Sequence, residues 1–174
     1  MTIFIFIAIL FTIALIVIVG LVMPKETLLI SSDIIIDKPK DTVWDYVRLL
    51  RNQEDYNTWI RQDPNIKMTY TGTDGTPGFI AGWESKTRMG DGEQEILKVD
   101  EGESYEAELR FRNHENRTHV RTALESIADG KTKVSTTMSA TPIFPMNMMM
   151  PIMKNVLKSK MDENSANLKR ILEA

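Results

Sequence analysis

The chain has 174 residues and a net charge of −3 at pH 7, with no basic run or stripe, so we expect no nucleic-acid partner. It contains no cysteine, which excludes thiolate catalysis, disulfide bonds and cysteine-based zinc sites. Its two histidines disfavour a histidine-rich metal centre. Hydrophobic residues make up 43% and charged residues 26% of the chain, as expected for one globular domain with an apolar segment added.

An uncharged and almost wholly apolar segment runs from Ile3 to Met23. As a helix, these roughly 21 residues would be about 31 Å long, which matches the ~30 Å hydrocarbon core of a bilayer. We therefore predict a single-pass transmembrane anchor over residues 1–24. Residues 25–174 then form one domain of ordinary size.

A cleaved secretory signal peptide is the main alternative for this segment. Such a peptide has a basic start, an apolar stretch of about 7–15 residues and a cleavage site with small residues. Here no Lys or Arg precedes the longer apolar run, and Gly20 to Pro24 offers no such site. A buried core helix is disfavoured because no face of the segment is polar. The lysines that follow, Lys25, Lys38 and Lys40, favour a cytoplasmic domain.

The first part of the domain predicts one strand and two short helices. Thr27 to Ile36 is rich in β-branched residues and predicts a strand. Pro39 then lies near the start of a helix over residues 41–50, with apolar residues at helical spacing. A second short helix is expected over residues 53–60, before a turn at residues 63–65.

Alternation of apolar and polar residues then predicts six antiparallel strands joined by short turns. Their ranges are 66–71, 79–84, 93–100, 105–112, 118–124 and 134–138. The chain closes on a long amphipathic helix whose apolar stripe contains Met153, Leu157, Met161, Leu168 and Leu172. We expect Pro151 to kink this helix or delay its start. The predicted fold is α+β: a curved antiparallel sheet of about seven strands around the C-terminal helix.

Several short motifs, in this order and spacing, resemble those of a known superfamily. They are Val43–Val47 on the first helix, Trp59 with Asp63–Asn65, the glycine turn Gly72–Gly78, Trp83, Gly90-x-Gly92 with Glu93–Ile96, Phe144–Asn147 and Ala166–Lys169. Over about Glu26–Ala174, the chain resembles the START-like helix-grip superfamily (SRPBCC), in its polyketide cyclase/dehydrase-like branch. Membrane-anchored bacterial members of this branch exist. The resemblance implies a helix-grip fold with a cavity for lipids, sterols or polyketides, and does not imply an enzyme.

We predict that aromatic, amide and thioether side chains surround this cavity. The candidates are Trp59, Tyr70, Trp83, Gln94, Tyr105, Phe111, Met149 and Met153. Plain core packing is the alternative for each aromatic residue. The methionine cluster from Met146 to Met153 has three interpretations: a pliable cover at the cavity entrance, ordinary core filling, or a surface that touches the bilayer.

No residue is predicted to be catalytic, and no metal site or cofactor is expected. Glu106 and Glu108 alternate outward, and the pair Glu93 and Glu95 is expected on a solvated strand face. The histidines, His114 and His119, are expected in or beside a solvated hairpin, and no Ser-His-Asp set can be assembled.

The sequence therefore predicts a membrane-anchored binding domain for an apolar small molecule: a lipid, an isoprenoid or a polyketide-like compound. An enzyme, a polyketide cyclase or dehydratase, remains the alternative and is not favoured. A protein-interaction module with a closed cavity is the second alternative. No protein partner is identified.

Overall fold

The computed structural model describes residues 2–22, 27–87, 89–112 and 117–174. An apolar helix is followed by one strand, three short helices, six strands and a long helix. In chain order these are α1 (Thr2–Val22), β1 (Leu28–Ile36), α2 (Lys40–Val47), α3 (Gln53–Tyr56), α4 (Thr58–Arg61), β2 (Lys67–Thr71), β3 (Ile80–Glu84), β4 (Gly92–Asp100), β5 (Ser104–Phe111), β6 (Arg117–Ile127), β7 (Lys131–Ala140) and α5 (Met146–Leu172).

The seven strands form one antiparallel sheet in the order β1-β7-β6-β5-β4-β3-β2. Strands β2 to β7 form a meander, and β1 closes the sheet by pairing with β7. Helix α5 packs across the inner face of this sheet, where it buries Met161 and Leu168. The predicted α+β helix-grip fold, with its apolar N-terminal helix, is confirmed.

The segment predicted as one helix over residues 53–60 is two helices, α3 and α4. Asn57 has extended backbone angles between them, and its Oδ1 accepts a hydrogen bond from the backbone N–H of Trp59. Both helices are held by side chains of α5. Asn164 Oδ1 accepts from the Thr58 N–H at 2.7 Å, and Asn167 Nδ2 donates to the Tyr56 carbonyl at 3.2 Å.

Pro151 does not delay the start of α5, which begins at Met146. A proline inside a helix removes the N–H that would bond the carbonyl four residues earlier, here that of Asn147. The Asn147 side chain is itself engaged at this point: its Oδ1 accepts from the N–H of Met148 at 3.0 Å. The first turns of α5 are nonetheless helical.

A filled core occupies one end of the space between sheet and helices. Its fully buried members include Ile36, Val43, Leu50, Phe79 and Ile96, contributed by strands, α2 and the loops between them. Burial of each such side chain stabilises the fold by about 1.5–3 kcal/mol. This end of the domain is closed, whereas the other end contains a cavity.

Candidate ligand cavity

A cavity of about 750 Å³ lies between the sheet and α5. This volume falls within the ~300–1,000 Å³ typical of small-molecule sites. The cavity wall is formed by inward-facing side chains of the sheet, by α4 and by the apolar stripe of α5. Residues that line it include Leu28, Trp59, Met68, Ala81, Trp83, Gln94, Tyr105, Leu109, Phe111, Val120, Thr136, Met138, Ala140, Met150, Met153 and Leu157.

The two ends of this cavity differ in exposure. Val47, Leu50 and Tyr105 line the end next to the filled core, and all three are buried. At the opposite end, lining residues such as Leu28 and Ala140 are half-exposed. We call this second end the mouth. It is bordered by the start of β1, the end of β7 and the first turns of α5.

Methionine side chains of α5 form one border of the mouth. Met146, Met150 and Met153 line the cavity and are continued along the helix by Leu157 and Met161. Methionine is flexible and polarizable, so this border can adapt to apolar ligands of different shapes. The predicted residue Met149 lies outside the cavity lining in the structure, with its side chain 52% exposed. Met150 and Met149 precede Met153 by three and four residues, so both are near its face of the helix. Helical spacing alone did not distinguish the two.

An aromatic wall stands opposite these methionines. The rings of Trp83 and Phe111 meet edge to face, with centroids 5.8 Å apart and planes at 75°. The Trp83 indole N–H donates to the Gly90 carbonyl at 2.9 Å, which fixes the ring. Gly92 makes room for this ring, since a Cβ there would lie 2.5 Å from Trp83 Cζ2 and 2.7 Å from the Arg110 carbonyl oxygen.

The predicted residue Tyr70 also lies outside the cavity lining. Tyr70 lies on the same face of β2 as Met68, which does line the cavity, but two residues further along the strand. There its ring stacks on Phe79 at 6.0 Å, and the Arg51 guanidinium covers it at 4.1 Å. Its hydroxyl donates to Glu54. Tyr70 therefore packs against Phe79 and Arg51, outside the cavity.

The other six predicted residues, Trp59, Trp83, Gln94, Tyr105, Phe111 and Met153, are brought together around the cavity. Their contact with a ligand stays a prediction. Gln94 is 6% exposed and lines the cavity. Its amide carries both a donor and an acceptor, the chemistry that the polar end of a ligand requires. Burial raises the pKa of the Tyr105 phenol, which stays protonated and able to donate.

One polar cluster on the cavity wall was missed by the sequence prediction. Asp63 lines the cavity and is 6% exposed. Its Oδ1 accepts from the Asn65 N–H at 3.0 Å, and its Oδ2 accepts from Ser85 Oγ at 2.5 Å. Ser85 Oγ also lies 2.8 Å from the hydroxyl of Thr87, another lining residue. The sequence marks Asp63 only as a turn residue, and the pairing with Ser85 depends on the fold.

The carboxylates on the outer face of the sheet form ion pairs. Arg110 contacts Glu93 at 2.8 Å, Glu95 at 2.5 Å and Glu108 at 3.2 Å, and Arg117 also pairs with Glu108. Glu108 faces outward as predicted, but it is 6% exposed because these arginines cover it. Glu93 and Glu95 remain partly exposed on the same face, where Arg110 bridges them.

The described histidine, His119, lies beside the outer ion pairs of the sheet. His119 is exposed on β6, with Nε2 3.8 Å from Glu108, and His114 lies outside the described residues. Within residues 2–22, 27–87, 89–112 and 117–174, no group of three or more His, Asp or Glu side chains could hold a metal ion.

A family comparison agrees with this architecture. Residues 27–173 match the sequence model of the family described as polyketide cyclase / dehydrase and lipid transport. The match covers most of the chain, so the protein belongs to this family and to the START-like helix-grip superfamily. Comparison with curated proteins finds no significant match.

Solved structures share the fold at low sequence identity. Truncated norcoclaurine synthase from Thalictrum flavum aligns with a TM-score of 0.64 at 11% identity, over 87% of this chain and 98% of that one. A protein from Chromobacterium violaceum aligns with a TM-score of 0.58 at 13% identity, over 87% and 99% of the two chains. A protein from Bacillus cereus aligns with a TM-score of 0.60 at 10% identity, over 83% and 94%. These similarities establish the fold alone.

Proposed function

We propose that the protein is a membrane-anchored binding domain for an apolar small molecule: a lipid, an isoprenoid or a polyketide-like compound. The observation that carries the proposal is the cavity of about 750 Å³, which has an apolar lining and the buried side chain of Gln94 in its wall. The family's description, which includes lipid transport, supports the same class of ligand. A closed protein-interaction module is disfavoured because the space between sheet and α5 is open.

Helix α1 supports the membrane anchor. Between Ile3 and Val22 it is long and apolar enough to cross a bilayer, and Gly20 is the one buried residue in that range. A core helix would instead bury one face against the domain. A signal sequence has similar composition, so cleavage is the alternative that an experiment has to exclude.

Binding would be driven by desolvation of the ligand. Each Å² of apolar surface removed from water contributes roughly 25 cal/mol. Gln94 would orient the polar end of the ligand, and the methionine border would adapt to its apolar body. Tethering to the bilayer would raise the local concentration of a membrane-resident ligand without any added contact.

The test uses the full chain in detergent and palmitic acid that carries an NBD fluorophore. Ala140→Trp places a large side chain in the mouth and should weaken uptake of the probe severalfold. Ala166→Trp is the matched control, because Ala166 is exposed on α5 away from the cavity. Equal uptake by both variants would count against the cavity as the binding site. Native mass spectrometry after incubation with a bacterial polar lipid extract would then give the mass of a natural ligand.

A second candidate function is a cyclase or dehydratase, which Asp63 favours. Its carboxylate lies at the cavity wall beside Ser85, where it could exchange a proton with a polyketide-like substrate. Asp63→Asn should abolish ring closure of a synthetic poly-β-carbonyl substrate, followed by absorbance of the aromatic product, while uptake of the NBD probe is retained. Absence of turnover by the unaltered protein would count against an enzyme and leave ligand binding as the remaining proposal.

We also propose that the domain faces the cytoplasm, on the basis of the lysines after α1. Because the chain lacks cysteine, a single Ser126→Cys substitution on the exposed end of β6 gives one labelling site. A membrane-impermeant maleimide should leave this site unlabelled in intact bacterial cells and label it after lysis. Labelling in intact cells would place the domain outside. Recovery of a chain shortened by the length of α1 would identify a cleaved signal peptide.

A further inference from the structure

The exposed apolar side chains of the domain gather around one end. Among the described residues after α1, the exposed large hydrophobic residues are Leu29, Ile35, Leu97, Ile143, Met149, Ile152 and Val156. Apart from Ile35 and Leu97, they belong to the start of β1, the β7–α5 connection or the first three turns of α5. We call Leu29, Ile143, Met149, Ile152 and Val156 the anchor-end patch. Single exposed apolar residues are ordinary, but a group at one end marks a contact surface.

The same end of the domain contacts helix α1. Asn147 is 7% exposed, and its Nδ2 donates to the Gly20 carbonyl at 2.9 Å. Gly20 lies in the last turn of α1, where carbonyls have no partner within the helix, so this bond satisfies one of them. A Cβ at Gly20 would lie 2.5 Å from the Phe144 ring and 2.7 Å from the Met148 sulfur. The glycine therefore allows a close approach between the two helices.

The position of this contact along α1 fixes its depth in a bilayer. Gly20 is two residues before the end of α1, which is about 3 Å at 1.5 Å per residue. If α1 spans the hydrocarbon core, Gly20 lies at its boundary with the headgroups. Ile152 follows Met148 by four residues, or about 6 Å along α5. Met146 and Met150, which border the cavity mouth, are interleaved with the patch in the same turns.

We propose that the anchor-end patch contacts the phospholipid bilayer, and that the Gly20–Asn147 contact holds the cavity mouth against the headgroup region. A ligand then passes between the leaflet and the cavity without crossing bulk water. This proposal rests on the membrane anchoring proposed above and adds the orientation of the domain on the membrane. A bilayer is favoured over a protein as the partner of this patch because its residues on α5 and the preceding loop adjoin Phe144, Asn147 and Met148, which contact the end of α1.

The test places an environment-sensitive NBD label at Ile152→Cys in the full chain, reconstituted in vesicles of phosphatidylethanolamine and phosphatidylglycerol. Ile35→Cys is the matched control: it is also an exposed isoleucine, 47% against 77%, at the other end of β1. Nitroxide-labelled lipids should quench the label at 152 severalfold more than the label at 35. Equal and weak quenching at the two positions would overturn the proposal.

Flotation of the same samples separates this proposal from the one on which it rests. A chain that does not float with the vesicles is not anchored, and both proposals fail. A chain that floats, with weak quenching at 152, keeps the anchor and loses only the orientation. Protection of the label from water without nitroxide quenching, together with crosslinking through Cys at 152, would identify a second copy of the chain as the occupant and overturn the bilayer contact.

A second variant tests the contact with α1. Asn147→Leu removes the donor to Gly20 while retaining similar size, and it should lower the quenching at 152 severalfold. Asn155→Leu is the control, because Asn155 is exposed on the same helix. Unchanged quenching in folded Asn147→Leu protein would show that this hydrogen bond does not orient the domain.

Discussion

At the closed end of the domain, α2 and the loops that follow it fill the space inside the sheet with apolar side chains such as Leu50 and Phe79. At the mouth, the corresponding space is empty, and the same sheet is supported on its outer face by the ion pairs of Arg110 and Glu108. The residues between them on β4 and β5, Gln94 and Leu109, point into the cavity. The fold therefore places its apolar packing at one end and its cavity at the other, where cross-strand charges pair on the outer face of the sheet.

The largest expected difference between the ends is in the free energy of unfolding. Leu50→Ala, at a residue 2% exposed, should cost about 2–5 kcal/mol. Leu157→Ala, on the half-exposed border of the cavity, should cost about 1 kcal/mol, because its side chain already faces empty space. Urea denaturation of the full chain in detergent measures both values. Equal losses would mean that the mouth contributes as much packing as the closed end.

A smaller loss is expected from Gly92→Ala on the aromatic wall. The new Cβ would press on the Trp83 ring and on the Arg110 carbonyl, so we expect about 1–3 kcal/mol of destabilisation from overpacking. Thermal unfolding measures the loss. The double variant with Trp83→Leu should recover part of it, since one of the two obstacles is then smaller. A fully stable Gly92→Ala protein would show that the wall can shift and is not rigid.

The tryptophans allow a matched test of binding at the two ends. Trp83→Phe removes part of the cavity wall and the hydrogen bond to Gly90, and should weaken uptake of NBD-palmitate up to about tenfold, or 1.4 kcal/mol. Trp44→Phe, at the closed end, removes a hydrogen bond to Glu101 and should leave uptake unchanged. Fluorescence titration measures both. A loss of uptake in both variants would contradict the assignment of ligand binding to the cavity end alone.

The smallest expected effect concerns pH and the outer ion pairs. Burial by itself would raise the pKa of Glu108, but the hydrogen bond and charge of Arg117 and the charge of Arg110 outweigh it and hold that pKa below its usual value. The stabilisation is therefore complete above the ordinary carboxyl pKa, about 4.3, and is lost as pH falls through the lower folded-state pKa. Unfolding measured between about pH 5 and 3 should show a shallower acid-induced loss for Glu108→Gln than for the unaltered protein.

The fold could be predicted from the sequence because its signals are local. Alternation with a period of two placed Gln94, Tyr105 and Phe111 on the inner face, and helical spacing placed Met153 on the inner stripe of α5. Tyr70 follows the same alternation, yet it packs against Arg51 and Phe79 and not against the cavity. No local sequence pattern indicates how far along a strand the cavity extends. The role of Asp63 depends on Ser85, which the fold brings to it from 22 positions away.

The hydrogen bonds from Asn164 and Asn167 to the α3–α4 segment have a mechanical consequence. They attach both sides of the extended joint at Asn57 to α5. Helix α5 is in turn held to β1, where Ser32 Oγ donates to Asp162 at 2.8 Å and Lys169 Nζ donates to the Ile35 carbonyl at 2.6 Å. The helices that cover the cavity are therefore attached to one another and to the edge of the sheet by side-chain hydrogen bonds as well as by apolar contacts.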